Sequence, residues 1–119
     1  MDYKSTVKGI GPLVPDLARE GNIVIVFDEN APAELAEMAI LHTHCNLDQD
    51  VSVGDVILLG NGEFVVTAVG DEANHTLRKM GHCTFKFTGQ DKVDLPGQME
   101  LAGDLPEVKA GDPFQILFT

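Results

Sequence analysis

The strongest constraint on the fold is a predicted β-hairpin in the middle of the chain. Two apolar runs, residues 56–59 and 63–69, are joined by Gly60-Asn61-Gly62. Asn-Gly is a strong hairpin signal because both residues tolerate the left-handed backbone conformation of a tight turn. A chain with this hairpin places an antiparallel pair of strands at its centre, and the other segments must extend or cover that pair.

Further short segments have the composition of strands. Residues 3–10 alternate loosely, and residues 22–27 are dense in β-branched side chains, which predicts a strand buried on both faces. Residues 82–87 alternate, with Cys83, Phe85 and Phe87 predicted to point inward. Residues 98–102 and 114–118 are predicted to be the last two strands. Two similar segments, 51–58 and 108–117, each contain a Gly-Asp turn before an apolar run.

Two short helices are predicted between these strands. Residues 28–38 carry helix-start signals, with Asn30 as the cap and Pro32 in the first turn. Residues 70–81 have Asp71 at the cap position and Gly81 as the stop. Many short strands with glycine turns indicate a mostly-β barrel or sandwich. We therefore expect one domain, residues 1–119, built as a small β-barrel, partly open or closed, with two short helices.

The charge of the chain limits its partners. Nineteen acidic residues against eight basic ones give a formal charge of -11. This field repels nucleic acid and anionic membrane surfaces, whereas it attracts a protein with a basic docking face. The first five residues contain no apolar leader segment, and two cysteines are too few for a disulfide scaffold. We expect a cytoplasmic protein that needs no cofactor.

The most suggestive polar residues are two histidines within residues 39–47. In an extended backbone, His42 and His44 point to the same face, with Thr43 and Cys45 on the opposite one. The pair follows an apolar run and precedes a polar one, so it is expected at the end of a strand. A face with two histidines can provide a nucleophile with an assisting residue or half of a metal site, or it can simply be the solvent-exposed side of a strand.

Other kinds of site have less support in the sequence. A metal site would combine His42 and His44 with Cys45, His82 or Cys83, but no Cys-x-x-Cys or His-Glu-x-x-His spacing occurs. Ser5 and Ser52 lack a nucleophile elbow, and no glycine-rich phosphate loop opens a helix. His75, in a predicted surface helix, is assigned no role.

A nucleophilic histidine is chemically reasonable. A neutral imidazole that attacks a phosphoryl group forms a phosphohistidine. The attacking nitrogen must be unprotonated, and its partner nitrogen is best held by an acceptor that fixes the tautomer. A second donor nearby, such as the other imidazole of the pair, can neutralise the phosphoryl oxygens.

Several segments resemble one known family. They are the run 41–44, the block 66–70 with Asn74, Leu77, Arg78, Gly81 and His82, and the segment 96–103. Together they resemble the glucitol/sorbitol-specific enzyme IIA component of the bacterial sugar phosphotransferase system. The Val-Thr-Ala-Val-Gly block with its following Gly-His is more specific than the histidine pair alone.

The resemblance implies a phosphocarrier. It implies transfer of a phosphoryl group from the histidine phosphocarrier protein to the IIB domain of a glucitol/sorbitol permease. It places the phosphoacceptor at His42, and His82 at a matching position as a phosphoryl neighbour, while we infer an assisting role for His44. This assignment requires the His42 ring to be exposed and uncharged.

Two alternatives stay open at this point. One is a small metal- or ligand-binding barrel that uses His42, His44 and His82. The other is an interaction module whose histidines are incidental. A homodimer is also compatible with the sequence, because the apolar strand 23–27 and the closing strand can pair within one chain or between two.

Overall fold

The structure is a closed eight-stranded barrel with three short helices. It is a computed structural model that describes residues 3–119, so Met1 and Asp2, the first residues of the predicted domain, lie outside the described residues. The strands are β1 Tyr3–Ile10, β2 Ile23–Asp28, β3 Ala39–His42, β4 Val56–Leu59, β5 Gly62–Val69, β6 Cys83–Lys86, β7 Gln98–Ala102 and β8 Pro113–Leu117. The helices are α1 Val14–Gly21, α2 Ala33–Ala36 and α3 Ala73–Met80.

The barrel closes because β1 pairs with a strand on each side. The order around the barrel is β1-β3-β2-β6-β7-β5-β4-β8, and β1 pairs with both β3 and β8. Two neighbouring pairs, β2 with β3 and β6 with β7, are parallel, and the others are antiparallel. The predicted small β-barrel is confirmed in its closed form.

The predicted central hairpin is also confirmed. Leu59 pairs with Gly62, so the turn consists of Gly60 and Asn61. The left-handed backbone angle falls on Gly60, with φ of 60°, rather than on Asn61. A Cβ on Gly60 would lie 2.3 Å from the carbonyl oxygen of Glu107, so both the turn and the close approach require glycine here.

The two predicted Gly-Asp turns have the same structure. Gly54 and Gly111 have φ of 98° and 96°. In each turn the following aspartate accepts a hydrogen bond of 2.8 Å from the backbone N–H three residues earlier, Asp55 from Ser52 and Asp112 from Lys109. These turns lead into β4 and β8, which are neighbours in the barrel.

The helices differ from the prediction in number and in position. Helix α1 was not predicted, since its eight residues include one buried apolar side chain, Val14, and follow a Gly-Pro break. Helix α2 has four residues and begins after Pro32, so the predicted cap at Asn30 is wrong. The Asn30 N–H instead donates to Asp28 Oδ1 at 2.9 Å in a local turn.

Helix α3 ends where the sequence predicts. Gly81 caps it in the left-handed conformation, with φ of 61° and ψ of 23°. The predicted cap Asp71 is wrong, because Glu72 occupies the N-cap position without a side-chain hydrogen bond. Within residues 3–119, no helix is long and apolar enough to cross a membrane.

The barrel interior contains the apolar side chains of alternate strand positions. Cys83 and Phe85 are fully buried and Phe87 is nearly so, which confirms the predicted inward face of this segment. The prediction that β2 is buried on both faces is wrong for the first half of the strand, because Val24 and Val26 are buried whereas Ile23 and Ile25 are partly exposed. The largest fully buried side chains are Tyr3, Phe85, Phe114, Ile40, Ile57, Leu59, Leu77, Met99, Leu101, Ile116, His42 and Glu100.

The two cysteines provide a test of this packing. Burial raises the pKa of the Cys83 thiol to about 12, whereas Cys45 is partly exposed in the segment after β3. At pH 8 roughly one Cys83 in 10⁴ is a thiolate, and no reagent reaches it. Iodoacetamide should therefore modify Cys45 in the native protein and Cys83 after denaturation, as measured by peptide mass spectrometry. A Cys45→Ala variant should be unreactive when folded, and native modification of Cys83 at the Cys45 rate would contradict the barrel packing.

Candidate functional site

The candidate site forms where two parallel strands end together. In the parallel pair β2 and β3, Asp28 is in register with His42. The C-terminus of α3 packs against the same point, since a Cβ on Gly81 would lie 2.8 Å from His42 Cε1 and 3.0 Å from Asp28 Cβ. His44 follows β3 by two residues and His82 immediately precedes β6. The fold therefore brings three of the four histidines to one end of β2.

The His42 ring is fully buried. Its exposed fraction is 0%, and it packs edge-on against Phe114 at a centroid distance of 4.8 Å. The expectation that this ring is exposed and stands beside His44 on one face is wrong. Strand β3 ends at His42, so the i, i+2 relation of an extended chain does not continue to His44.

Both nitrogens of His42 have protein partners. Nε2 lies 2.7 Å from the carbonyl oxygen of Gly81. Because a carbonyl oxygen can only accept, Nε2 carries a hydrogen and donates it. Nδ1 lies 2.8 Å from the carbonyl oxygen of Thr43 and 3.0 Å from Ser5 Oγ, and the Ser5 hydroxyl also reaches Thr43 O at 2.7 Å. Both nitrogens therefore lie against protein groups, and the ring is closed to solvent.

His44 has the opposite surroundings. Its side chain is 49% exposed, and its Nδ1 lies 3.7 Å from Asp28 Oδ2. The Asp28 side chain is only 11% exposed, and its other oxygen, Oδ1, accepts the hydrogen bond from the Asn30 N–H. The carboxylate is thereby held in place with Oδ2 directed at the imidazole.

Asp28 is a site residue that sequence reasoning missed. In the sequence it marks the end of the apolar run 22–27 and the start of a predicted helix. Its relation to His42 and His44 comes from the parallel pairing of β2 with β3, which is a long-range feature. A polar residue at the carboxyl end of a buried strand is the signal that could have identified it.

His82 is partly buried and makes its own contacts. Its Nδ1 lies 3.2 Å from the carbonyl oxygen of Val26, to which it can donate. Its ring lies against Phe27, with a centroid distance of 4.6 Å and an interplanar angle of 31°. His75 is exposed on α3, as expected. His82 thus lies on the outside of β2, while His42 lies inside the barrel.

The metal- or ligand-binding alternative gains no support. Within residues 3–119, no group of three or more His, Cys, Asp or Glu side chains is arranged to hold an ion. A cavity of about 440 Å³ lies beside α1, and none of the three histidines lines it; its lining residues are Ile10, Val14, Pro15, Ala18, Val24, Ile40, Pro106, Glu107, Val108 and Lys109.

Two basic residues, Arg78 of α3 and Lys86 of β6, are bonded to groups outside the site. Arg78 donates to the carbonyl oxygen of Leu47 at 3.0 Å and to Asp50 at 2.7 Å. Lys86 forms an ion pair with Asp94, which raises the pKa of the lysine. Neither side chain contacts His42.

The fold is that of a phosphotransferase-system IIA component. It matches "The Crystal Structure of PTS System IIA Component from Enterococcus faecalis V583" with a TM-score of 0.81, over 97% of this chain and 99% of that one. The sequence identity of the two chains is 22%, so this likeness shows the fold alone.

The sequence comparisons define the family. The family model "PTS system glucitol/sorbitol-specific IIA component" matches residues 2–115. Proteins named "PTS system glucitol/sorbitol-specific EIIA component" from Shigella flexneri and Escherichia coli K12 are each 36% identical over 105 residues, which is 88% of this chain and 85% of theirs. The chain belongs to the glucitol/sorbitol-specific IIA family, which confirms the resemblance and supports a phosphocarrier role in the phosphotransferase system.

The contact of Gly81 with the site can be tested by comparing two glycines. Gly81 and Gly89 have φ of 61° and 62°, but a Cβ on Gly89 meets nothing closer than 3.5 Å. Gly89→Ala should therefore lower the free energy of unfolding by only about 1 kcal/mol, the cost of the left-handed backbone for alanine. Gly81→Ala also displaces His42 and Asp28, so it should lower the free energy of unfolding by about 2 to 4 kcal/mol. Urea unfolding measures both losses. Equal losses for the two variants would show that His42 does not pack against Gly81.

Proposed function

We propose that this protein carries a phosphoryl group between two proteins of a sugar phosphotransferase system in the cytoplasm. It accepts the group on an imidazole nitrogen from the histidine phosphocarrier protein. It then donates the group to the IIB domain of a glucitol/sorbitol permease. The observation that supports this most directly is membership of the glucitol/sorbitol-specific IIA family over residues 2–115.

The geometry at the end of β2 is suited to phosphohistidine chemistry. A phosphoacceptor needs one nitrogen with a free lone pair and a second nitrogen held by an acceptor oxygen. His44 and His82 each direct Nδ1 at an oxygen, the first at Asp28 and the second at the carbonyl of Val26. Each ring therefore has Nε2 left for attack on phosphorus.

The resemblance gives the acceptor role to His42, with His44 assisting and His82 as a neighbour. For His42 this role requires the ring to leave its hydrogen bonds with Gly81 and Thr43 and to emerge from the barrel. His44 needs no such movement. The family-level function is therefore independent of which imidazole of the cluster receives the phosphoryl group.

The charge of the chain favours protein partners with a basic docking face. A formal charge of -11 steers a positively charged donor surface toward the protein and raises the association rate at low salt. In this role the protein contacts phosphoryl groups and proteins but not the transported polyol. The permease then determines which sugar is transported. A homodimer stays a prediction from the apolar strands.

The function is tested by phosphoryl transfer in two steps. The protein is incubated with phosphorylated histidine phosphocarrier protein, and we expect stoichiometric incorporation of phosphate that is labile in acid and stable in base, as a phosphoramidate is. Addition of the IIB domain should then remove the label from this protein.

A His75→Gln variant serves as a matched control, because His75 is an exposed histidine on α3 and should leave labelling unchanged. Failure of the folded wild-type protein to accept phosphate from the donor would overturn the proposed function.

A further inference from the structure

We propose that the Tyr3 hydroxyl is a catalytic group that donates a hydrogen bond to the phosphoryl group on His42. This inference rests on the proposed function, with His42 as the acceptor that the family resemblance gives. It deepens that function by naming the group of this chain that binds a phosphoryl oxygen during transfer. Three observations support it: the position of Tyr3 in the barrel, the absence of a partner for its hydroxyl within residues 3–119, and the protonation of the phenol.

The strand pairing places Tyr3 at the same end of the barrel as the candidate site. Strands β1 and β3 are antiparallel, with Val7 in register with His42. Tyr3 precedes Val7 by four residues, so it lies beyond the end of β3, where the chain continues to His44. The side chains of Tyr3, Ser5 and Val7 are buried and the residues between them are exposed, which shows that Tyr3 points into the barrel.

The Tyr3 ring is held next to His42 by aromatic packing. The two ring centroids are 6.5 Å apart, with an interplanar angle of 67°, and Tyr3 is 1% exposed. Both rings also pack against Phe114, with centroid distances of 5.5 Å for Tyr3 and 4.8 Å for His42. Packing of the ring therefore keeps Tyr3 beside the acceptor, and its hydroxyl is not needed for this.

The Tyr3 hydroxyl is a buried donor without a partner. Within residues 3–119, three buried side-chain oxygens have no hydrogen-bond partner, and they belong to Tyr3, Gln98 and Glu100. The other two are an amide and a carboxylate oxygen on β7, so Tyr3 provides the one donor among them. A buried donor is nearly always bonded, because an unmade hydrogen bond in the interior lowers stability. An unpartnered donor beside the acceptor ring is explained if it binds a group that arrives during the reaction.

The phenol keeps its proton at physiological pH. Burial raises the pKa of the Tyr3 phenol, and Cys45, Asp28 and Cys83 raise this pKa further, in that order. Two of these residues belong to the end of the barrel that contains the site, since Asp28 ends β2 and Cys45 follows β3. The hydroxyl therefore lies within electrostatic reach of the site and remains a neutral donor.

A neutral donor fits the chemistry of the transferred group. The oxygens of a phosphoryl group accept hydrogen bonds, and charge is spread over all three of them in the transition state. Arg78 and Lys86 are bonded to groups outside the site. A phenol binds one phosphoryl oxygen without the stronger attraction of a cation, so the group can still be released to the next protein.

The position of Tyr3 also matches the movement that His42 requires. The acceptor ring leaves its hydrogen bonds with Gly81 and Thr43 to emerge from the barrel. Because Tyr3 lies beyond the end of β3, a ring that turns toward that end turns toward the hydroxyl. An unprotonated His42 nitrogen then bonds to phosphorus as the bond from phosphorus to the donor imidazole breaks, and that bond's electron pair leaves with the donor nitrogen. The phenol keeps its proton throughout and shares it with one phosphoryl oxygen.

Tyr3→Phe removes the hydroxyl and keeps the ring. Its kcat for phosphoryl acceptance from phosphorylated histidine phosphocarrier protein should fall roughly 10- to 100-fold, because a donor to the transferring group is lost. The KM for the donor protein should stay within about twofold of the wild type, since a buried side chain does not contact the docked surface. The urea midpoint should be equal or higher, because the variant lacks the unpartnered polar group. A wild-type kcat in folded Tyr3→Phe would overturn the inference.

Thr67→Val is the matched control for the loss of a hydroxyl. Thr67 lies on β5, outside the site, and its Oγ1 donates to the carbonyl oxygen of Gln90 at 2.6 Å. This variant should lower the urea midpoint, because it leaves that carbonyl without its donor, and should keep kcat within about twofold of the wild type. An equal loss of kcat in both variants would overturn the inference, because the effect of Tyr3→Phe would then not depend on the site.

The wild-type protein allows a test that needs no substitution. Tyr3 is the one tyrosine of the chain, so protein made with tyrosine labelled with ¹³C at Cζ gives a single resonance. We expect this resonance to move toward its phenolate position on phosphorylation, because a hydrogen bond to a charged phosphoryl oxygen draws the proton away from the phenol. It should return after transfer to the IIB domain. An unchanged resonance in the phosphorylated protein would overturn the inference.

The location of the phosphate separates failure of this inference from failure of the proposed function. Tandem mass spectrometry under neutral conditions should locate phosphate on His42 of the wild-type protein. Phosphate on His44 or His82 alone would overturn this inference, while the proposed function stands. A wild-type protein that accepts no phosphate from the donor would overturn the proposed function and, with it, this inference.

Discussion

The structure at the candidate site depends on the two-sided hydrogen bonding of one buried imidazole. His42 donates through Nε2 to Gly81, the residue that caps the C-terminus of α3, and contacts Ser5 and Thr43 through Nδ1. A buried polar group left without its partner costs about 1 to 3 kcal/mol, so the ring constrains each element that it bonds. Parallel pairing of β2 and β3 adds Asp28 to this arrangement, because the two strands end in register.

This constraint also separates the two histidines of the pair. His42 is the last residue of β3 and its ring points into the barrel, whereas His44 lies beyond the strand at the surface. The two rings therefore have different surroundings, one formed by carbonyl oxygens and aromatic rings and the other by a carboxylate and solvent. The same residue type is buried among packed side chains at one position and exposed to solvent at the other.

Much of the barrel can be predicted from local patterns in the sequence, and the details of the site cannot. Alternation, β-branched runs and the Asn-Gly turn identified strands that the structure contains, including the hairpin at Gly60. Helix α1 was missed because an eight-residue helix with one buried side chain leaves little periodicity. The relation of Asp28 to His44 was missed because it depends on the parallel pairing of β2 with β3, which no hairpin turn in the sequence indicates. The end of β3 at His42 was also missed, because the apolar run before the histidines gives no sign of where the strand stops.

Under the proposed function, the charges around the site favour both acceptance and release of the phosphoryl group. A protein with a net charge of -11, whose Arg78 is bonded to Asp50 and Leu47, supplies little positive charge to the phosphoryl oxygens. Tight binding of these oxygens would stabilise the phosphorylated form and slow the second transfer, since only interactions that are stronger in the transition state increase the rate. Positive charge for the transferring group can then come from each partner's docking face, so that it is present during transfer and absent while the carrier diffuses between partners.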